Sequence, residues 1–308
     1  MSTLLDLQTE LHEINEAVAR AERTLSQYPD LPSVEATLRA IVQRRDRLQE
    51  QFVAVAQASG HDVCRYWIET TDPNPSVLDV TDVLGSFQKL FTAVYDAITN
   101  APKQIASWGS EASAATKLGF AYTVPGSIGI VMIVDESSEL IPDRKLDEAI
   151  TGVFEMMSAR RPEQVLDLSR RFGLATVRVA REWAAENAKA GFGVNVEWHR
   201  KDDARQRVRL QTPEIIQLES AIDRASNRQI EKFVGELVEV NVEERTFRMR
   251  LDLETVISGT YADVISPEKP ARVPHRYAAT MQVTRRILTQ GTEDSVSYFL
   301  VRLDDPEE

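Results

Sequence analysis

Hydrophobic residues recur at alternating spacings of three and four along the start of the chain, in two runs. The first run is Leu4, Leu7, Leu11, Ile14, Val18, Ala21 and Leu25. The second run is Val34, Leu38, Ile41, Arg45, Leu48, Phe52 and Val55. Side chains that repeat every 3.5 residues line one stripe of a helix, and that stripe is normally buried against another helix. The pattern therefore predicts two long helices.

Pro29 and Pro32 interrupt the pattern, so the two helices are predicted to form an antiparallel coiled-coil hairpin over residues 1–60. Each arm of about 24 residues is about 36 Å long at 1.5 Å per residue. Arms of this length are expected to leave outer faces for a partner or a second copy, and the pattern is compatible with pairing within or between chains. The candidate assembly residues are Leu4, Leu7, Leu11, Ile14, Val18, Leu25, Leu38, Ile41, Leu48 and Phe52.

The middle of the chain, residues 61–211, is predicted to be an α+β domain with an antiparallel sheet. A strand is expected at His61–Glu69, and a β-hairpin is expected around the Pro-Gly-Ser turn at 125–127 as the core of the sheet. Two further strands are predicted at 194–201 and Arg205–Leu210. Helices are predicted at 79–100, 146–159, 162–172 and 174–190, with Gly173 separating the last two.

Residues 212–308 are predicted to be a helix followed by five strands. Thr212 and Pro213 fit the cap and first position of the helix. Five short strands joined by turns fit a small closed barrel of the SH3-like or OB type, because closure removes exposed sheet edges. The fold class is therefore α+β, in three domains.

Composition narrows the class of protein. The chain is 43% hydrophobic and 27% charged, which is typical of a globular protein. No run approaches the roughly 18 apolar residues of a membrane span, and the acidic N-terminus does not resemble a signal peptide. A single cysteine, Cys64, fits a cytoplasmic location. The net charge of −12 argues against a protein that grips nucleic acid through its overall field.

The strongest candidate binding feature is a row of arginines. Arg205, Arg207 and Arg209 alternate along one predicted strand and so share a face, and Trp198 is near enough in sequence to stack on a base. Guanidinium groups in a row suit phosphates or carboxylates. The alternative is a solvated strand face balanced by acidic neighbours, which we favour. A weaker candidate is the set Arg248, Arg250, Arg285 and Arg286 in the barrel.

Catalytic and metal-binding signatures are not evident in the sequence. The four histidines have no second histidine or cysteine at ligand spacing. Cys64 and His61 are three apart on a strand and point to opposite faces, so a buried thiol is the favoured interpretation. No serine-hydrolase elbow or phosphate loop is present. We predict no catalytic, cofactor or metal residues; a metal site built from scattered acids stays an alternative.

Three segments resemble a group of uncharacterised bacterial proteins associated with phage-defence gene neighbourhoods. They are the helix DVLGSFQKLFTAV, the hairpin around PGS, and the terminal GELVEVNVEERTFRMRL and ISGTY strands. The resemblance covers about 79–135 and 233–303. It implies a component of a multi-protein bacterial system and transfers no active-site residue.

The leading hypothesis is a non-enzymatic interaction or scaffold protein that associates with itself or with a protein partner through the hairpin. A nucleic-acid or nucleotide binding protein that uses the arginine strand is the second hypothesis. A metal-dependent nuclease-like enzyme is the third. No membrane partner is expected.

Overall fold

The computed structural model of the chain describes residues 3–124, 128–135, 144–202, 204–252, 255–266, 270–286 and 296–305. The chain is α+β and divides into two compact units, Met1–Ala221 and Ile222–Glu308. The hairpin that the sequence predicted as a separate domain belongs to the first unit. The predicted turn at 125–127 lies outside the described residues. None of the described helices combines the length and hydropathy that a bilayer crossing requires.

Two antiparallel helices open the first unit, as predicted. Helix α1 spans Leu4–Gln27 and helix α2 spans Pro32–Ala58. At the start of α1, the Thr3 hydroxyl accepts a hydrogen bond from the Asp6 N–H, and the Asp6 carboxylate accepts one from the Thr3 N–H. This reciprocal cap satisfies two N–H groups that would otherwise have no helical partner.

A five-stranded antiparallel sheet forms the middle of the first unit. Its strands are β1 (His61–Glu69), β2 (Leu118–Val124), β3 (Ile128–Asp135), β4 (Gly193–His199) and β5 (Arg205–Leu210). The spatial order is β2-β3-β1-β4-β5. The sequence predicted these strands but placed the β2–β3 hairpin at the core, and this expectation was wrong. Strand β1 is central because it pairs with both β3 and β4.

The remaining helices of the first unit follow the predicted pattern with one difference, the short helix α4. They are α3 (Val77–Asn100), α4 (Ser110–Ala115), α5 (Arg144–Ser158) and α6 (Pro162–Ala190), and α7 (Thr212–Arg224) follows the sheet. Helix α4 was not predicted. The two helices predicted on either side of Gly173 are present within α6, and a kink at Gly173, where φ is 84°, separates them as predicted.

The two faces of the sheet are covered by different helices. Val63, Tyr122 and Val131 pack against the hairpin on one face. On the other face, the Tyr66 ring packs 4.9 Å from that of Phe87 in α3. Trp183 of α6 donates a 3.2 Å hydrogen bond to the Tyr66 hydroxyl. The alternation along β1 that the sequence showed thus separates two hydrophobic layers.

The second unit is a closed five-stranded barrel. Its strands are β6 (Ser226–Asn241), β7 (Thr246–Arg250), β8 (Val256–Tyr261), β9 (His275–Arg286) and β10 (Val296–Asp304). Strands β6, β7 and β8 form a meander, β8 pairs in parallel with β10, and β9 joins β10 to β6. This is the strand order of an OB-type barrel. The buried residues that fill it include Leu237, Phe247, Met249, Met281 and Leu300.

Candidate functional site

The end of the hairpin that contacts the sheet is part of the hydrophobic core of the first unit. Phe52 contacts Tyr122 of β2 edge-to-face, with ring centroids 5.1 Å apart. The candidate assembly residues that are buried are Leu7, Leu11, Ile14, Val18, Leu48 and Phe52. Leu4 and Ile41 pack at the edge of the same cluster. Seven of these eight residues belong to the cluster that joins the hairpin to the sheet, and Val18 is fully buried as well, so the expectation that they form an assembly surface is corrected.

The outer end of the hairpin, residues 20–41, presents apolar side chains to solvent, and only Ile41 at its boundary packs against the core cluster. We call this segment the distal hairpin. Leu25 and Leu38 are the remaining candidate assembly residues, and both are half-buried. At the turn, Tyr28 is 58% exposed and Leu31 is 44% exposed. The distal hairpin therefore has an apolar edge that its own two helices cover only in part.

The charges of the distal hairpin balance. Arg20, Arg23 and Arg39 are offset by Glu22, Asp30 and Glu35. Two of these arginines form ion pairs with a glutamate one helical turn away on the same helix. Arg20 lies 3.3 Å from Glu16, and Arg39 lies 3.4 Å from Glu35. Because the whole chain carries −12, this neutral segment differs from the rest of the surface.

The arginine strand lies on the same sheet face as the hairpin, on the part formed by β4 and β5. Arg205, Arg207 and Arg209 are exposed and pair across the strands with His199, Glu197 and Asn195. The three arginines lie on one face of the strand, as their alternation in the sequence predicted.

Acidic neighbours neutralise two of the three arginines. The Arg207 Nε lies 3.1 Å from Glu197 Oε1 and also donates to Asn195 Oδ1. Arg209 makes a two-pronged contact with Glu69, at 2.8 Å and 3.2 Å. Arg205 makes no ion pair with any residue in the described part of the chain. The favoured alternative, a balanced strand face, therefore describes Arg207 and Arg209.

Trp198 does not belong to this face. Its side chain is 1% exposed, its ring packs 5.1 Å from that of Phe91, and its indole N–H donates to Asp62 Oδ2 at 2.8 Å. The expectation that Trp198 stacks on a base is corrected, since the ring has no exposed surface. It lies on the α3 and α6 side of the sheet with Val194 and Val196.

Asp62 is a buried carboxylate that sequence reasoning missed. It is 1% exposed, and its other oxygen accepts a 3.0 Å hydrogen bond from the Lys201 backbone N–H. Burial raises the pKa of Asp62 above its ordinary value, although the bonds from Trp198 and Lys201 oppose that rise. The alternation of β1 could have found it, because Asp62 shares a face with Cys64 and Tyr66.

His199 is a buried histidine near two guanidinium groups. It is 5% exposed, and neither ring nitrogen has a hydrogen-bond partner within the described ranges. Glu197 Oε2 lies 3.7 Å from Nε2. Burial first, then Arg65 and Arg205, lower the pKa of His199 to about 4, and Glu197 opposes them. His199 is therefore neutral at pH 7.

The other candidates have structural roles. Burial raises the pKa of the Cys64 thiol, so it is a protonated core residue and a poor nucleophile. In the barrel, Arg248 pairs with Glu239 and Arg250 pairs with Glu236, both at 3.2 Å. The side chains of Arg285 and Arg286 lie outside the described part of the structure. Among the residues that the structure describes, no three His, Cys, Asp or Glu side chains come together as metal ligands.

No protein-family model, curated protein or solved structure matches the chain.

Proposed function

We propose that this protein is a non-enzymatic, cytoplasmic assembly subunit, and that two copies join through their distal hairpins. In this arrangement the four helices form a short bundle or coiled coil. The observation that supports the proposal is the apolar edge of residues 20–41, where Leu25, Tyr28, Leu31 and Leu38 are exposed or half-buried.

If two copies associate, contact between their distal hairpins is more favourable than contact between other parts of their surfaces. Two surfaces that share the net charge of −12 repel each other, whereas two neutral distal hairpins do not. The arginines and acids alternate along the helices, so an antiparallel neighbour can place opposite charges together. A self-complementary patch of this kind is what a two-fold symmetric dimer requires.

We further propose that the protein is one component of a bacterial multi-protein system that acts in phage defence. This part of the proposal is supported by the resemblance of the 79–135 and 233–303 segments alone. Mass spectrometry of the protein purified together with its neighbouring gene products tests it. Stoichiometric recovery of a neighbouring product supports it, and recovery of the protein alone contradicts it.

The assembly proposal is tested by the double variant Leu25→Glu and Leu38→Glu. We expect light scattering to give twice the monomer mass for the native chain and the monomer mass for the variant, with unchanged circular dichroism. The matched control is Gln51→Glu with Gln104→Glu, which adds the same charge at exposed polar positions outside the distal hairpin. Equal masses for all three proteins would contradict the proposal. Substitution of Leu11 or Leu48 cannot serve here, because both are core residues.

The nucleic-acid alternative has one favourable observation, the exposed Arg205, which makes no ion pair with the described residues. It predicts binding of labelled DNA or RNA at low salt that weakens as salt rises and is lost in the Arg205→Gln, Arg207→Gln, Arg209→Gln triple variant. No retention at low salt would remove this alternative. The nuclease alternative gains no residues from the structure, since the described part of the chain offers no ligand cluster.

A further inference from the structure

A groove runs between helix α1 and the edge strand β2. Strand β2 pairs with β3 along one edge, and no strand of the described chain pairs with its other edge. The helical wall of the groove is formed by Gln8, His12, Asn15 and Ala19, which are spaced by four, three and four residues. This spacing places them on one stripe of α1. Phe120 and Thr123 line the opposite wall.

Asn15 is placed in the middle of this groove and is only half satisfied. Its side chain is 8% exposed, and its Nδ2 donates a 2.7 Å hydrogen bond to the Thr123 carbonyl of β2. Its Oδ1 is buried and has no hydrogen-bond partner in the part of the chain that the structure describes. Buried polar atoms normally have a partner, so this oxygen can accept a hydrogen bond from the N–H group of a bound ligand.

The strand side of the groove has the features of an uncovered sheet edge. Phe120 is 65% exposed, which is unusual for an aromatic residue within a strand. Edge strands with exposed apolar residues are ready to pair with another extended chain.

One carboxylate, that of Glu16, lines the groove. The segment of α1 that carries it, Leu4 to Ala19, is acidic overall, because it contains four acidic residues and no lysine or arginine. Glu16 contacts His12 at 3.5 Å and Arg20 at 3.3 Å, but all three side chains are more than half exposed, and such pairs exchange at little cost.

We propose that this groove binds a short, extended, basic segment of a partner protein, which adds to β2 as a sixth strand of the sheet. The eleven-residue step from Gln8 to Ala19 corresponds to about 16 Å, the length of about five extended residues. The backbone of the segment pairs with β2, one of its N–H groups reaches Asn15 Oδ1, an apolar side chain covers Phe120, and a lysine or arginine approaches Glu16. A partner segment fits better than a second acidic copy because of the charge of α1.

The inference does not rest on the proposed dimer, because the groove lies outside residues 20–41. The probe is a fluorescent heptapeptide of alternating valine and lysine, titrated into the full chain and followed by anisotropy. We expect saturable binding that Glu16→Lys weakens about tenfold or more and that Glu13→Lys changes little. Glu13→Lys is the matched control, since it makes the same charge change on the same helix without lining the groove.

A second peptide, N-methylated at alternate backbone nitrogens, tests the strand pairing. We expect it not to bind, and we expect the unmodified peptide to slow amide exchange in 118–124. Absence of binding, equal loss with Glu13→Lys, or equal binding of the methylated peptide would overturn the inference. Protection of another element in place of β2 would also overturn it. The Leu25→Glu, Leu38→Glu variant should bind the peptide like the native chain, so the two proposals fail independently.

Discussion

The indole N–H of Trp198 donates a 2.8 Å hydrogen bond to the buried carboxylate of Asp62, and this contact joins the end of β4 to the start of β1. The Lys201 backbone N–H donates to the other oxygen of the same carboxylate. The two donors together hold this buried carboxyl group in the layer between the sheet and α3. This arrangement explains why a tryptophan and an aspartate, 136 residues apart in sequence, are both almost fully buried.

We predict that Trp198→Phe destabilises the first unit by about 1–3 kcal/mol, because a buried carboxylate oxygen loses its donor while most of the packing is kept. All four tryptophans, at 67, 108, 183 and 198, lie in this unit, so urea unfolding followed by tryptophan fluorescence reports on it alone. Trp108→Phe, at a half-buried loop position, is the control. Equal losses in both variants would show that the hydrogen bond to Asp62 contributes nothing measurable.

Because His199 is buried, we predict that acid lowers the stability of the first unit. The pKa of His199 in the folded chain is about 4, against 6.5 for an ordinary histidine, so between these values the unfolded chain binds a proton that the folded chain does not. Stability is therefore unaffected by this group above pH 6.5 and falls as pH decreases toward 4, by up to about 1.4 kcal/mol per pH unit. Below pH 4 the contribution levels off.

Urea unfolding of the native chain and of His199→Gln across pH 4 to 8 measures this effect. In the variant, the free energy of unfolding should fall less steeply between pH 6.5 and pH 4 than it does in the native chain. Asp62 acts in the opposite direction, because its raised pKa means that protonation favours the folded chain as pH falls toward the ordinary aspartate range. Identical slopes in the two proteins would assign the pH dependence to other groups.

Gly173 and Gly85 form a matched pair for a third prediction. At Gly173, φ is 84°, and an added Cβ would lie 2.5 Å from the Lys103 carbonyl oxygen. That carbonyl accepts a hydrogen bond from the Ala175 N–H, and the Lys103 side chain pairs at 2.6 Å with the buried Asp96. Gly173→Ala must therefore move a loop that is fixed at two points, and we expect a loss of about 3 kcal/mol or more.

Gly85 lies at an exposed position inside α3, and an added Cβ would have no atom within 4 Å. Gly85→Ala should stabilise the chain by up to about 1 kcal/mol, because alanine has the higher helix propensity. Thermal unfolding of the two variants measures both. A neutral Gly173→Ala would mean that the loop at Lys103 can shift without cost.

Local patterns in the sequence predicted local structure well. The break at Gly173 was predicted because glycine ends helices, and the structure shows the kink at that residue. The five C-terminal strands predicted a closed barrel, and the structure contains one. The alternation of Arg205, Arg207 and Arg209 predicted their common face. These features depend on residues that are close in sequence.

Partners from distant segments could not be predicted. The heptad pattern shows that Leu11 and Leu25 lie on one stripe, but it contains no information on which of them also meets a sheet. Likewise, nothing near Arg209 in sequence indicates that Glu69, 140 residues away, neutralises it. Trp198 is different, since applying strand alternation to Val194, Val196 and Trp198 would have placed it in the core.

The last prediction separates the two halves of the hairpin. Leu11 is fully buried between α2 and the sheet, whereas Leu38 is half-buried near the tip. Leu11→Ala should cost about 2–5 kcal/mol at any protein concentration, because it leaves a cavity in the core of the first unit. Leu38→Ala should cost about 1 kcal/mol or less in the dilute monomer.

Protein concentration supplies the discriminating measurement. If distal hairpins join two copies, unfolding of the native chain shifts to higher urea as concentration rises, and Leu38→Ala weakens that shift while Leu11→Ala preserves it. Unfolding curves at several concentrations, read by tryptophan fluorescence, compare the two variants directly. A native midpoint that does not depend on concentration, together with a loss at Leu38 as large as that at Leu11, would mean that the tip is stabilised within one chain and holds no second copy.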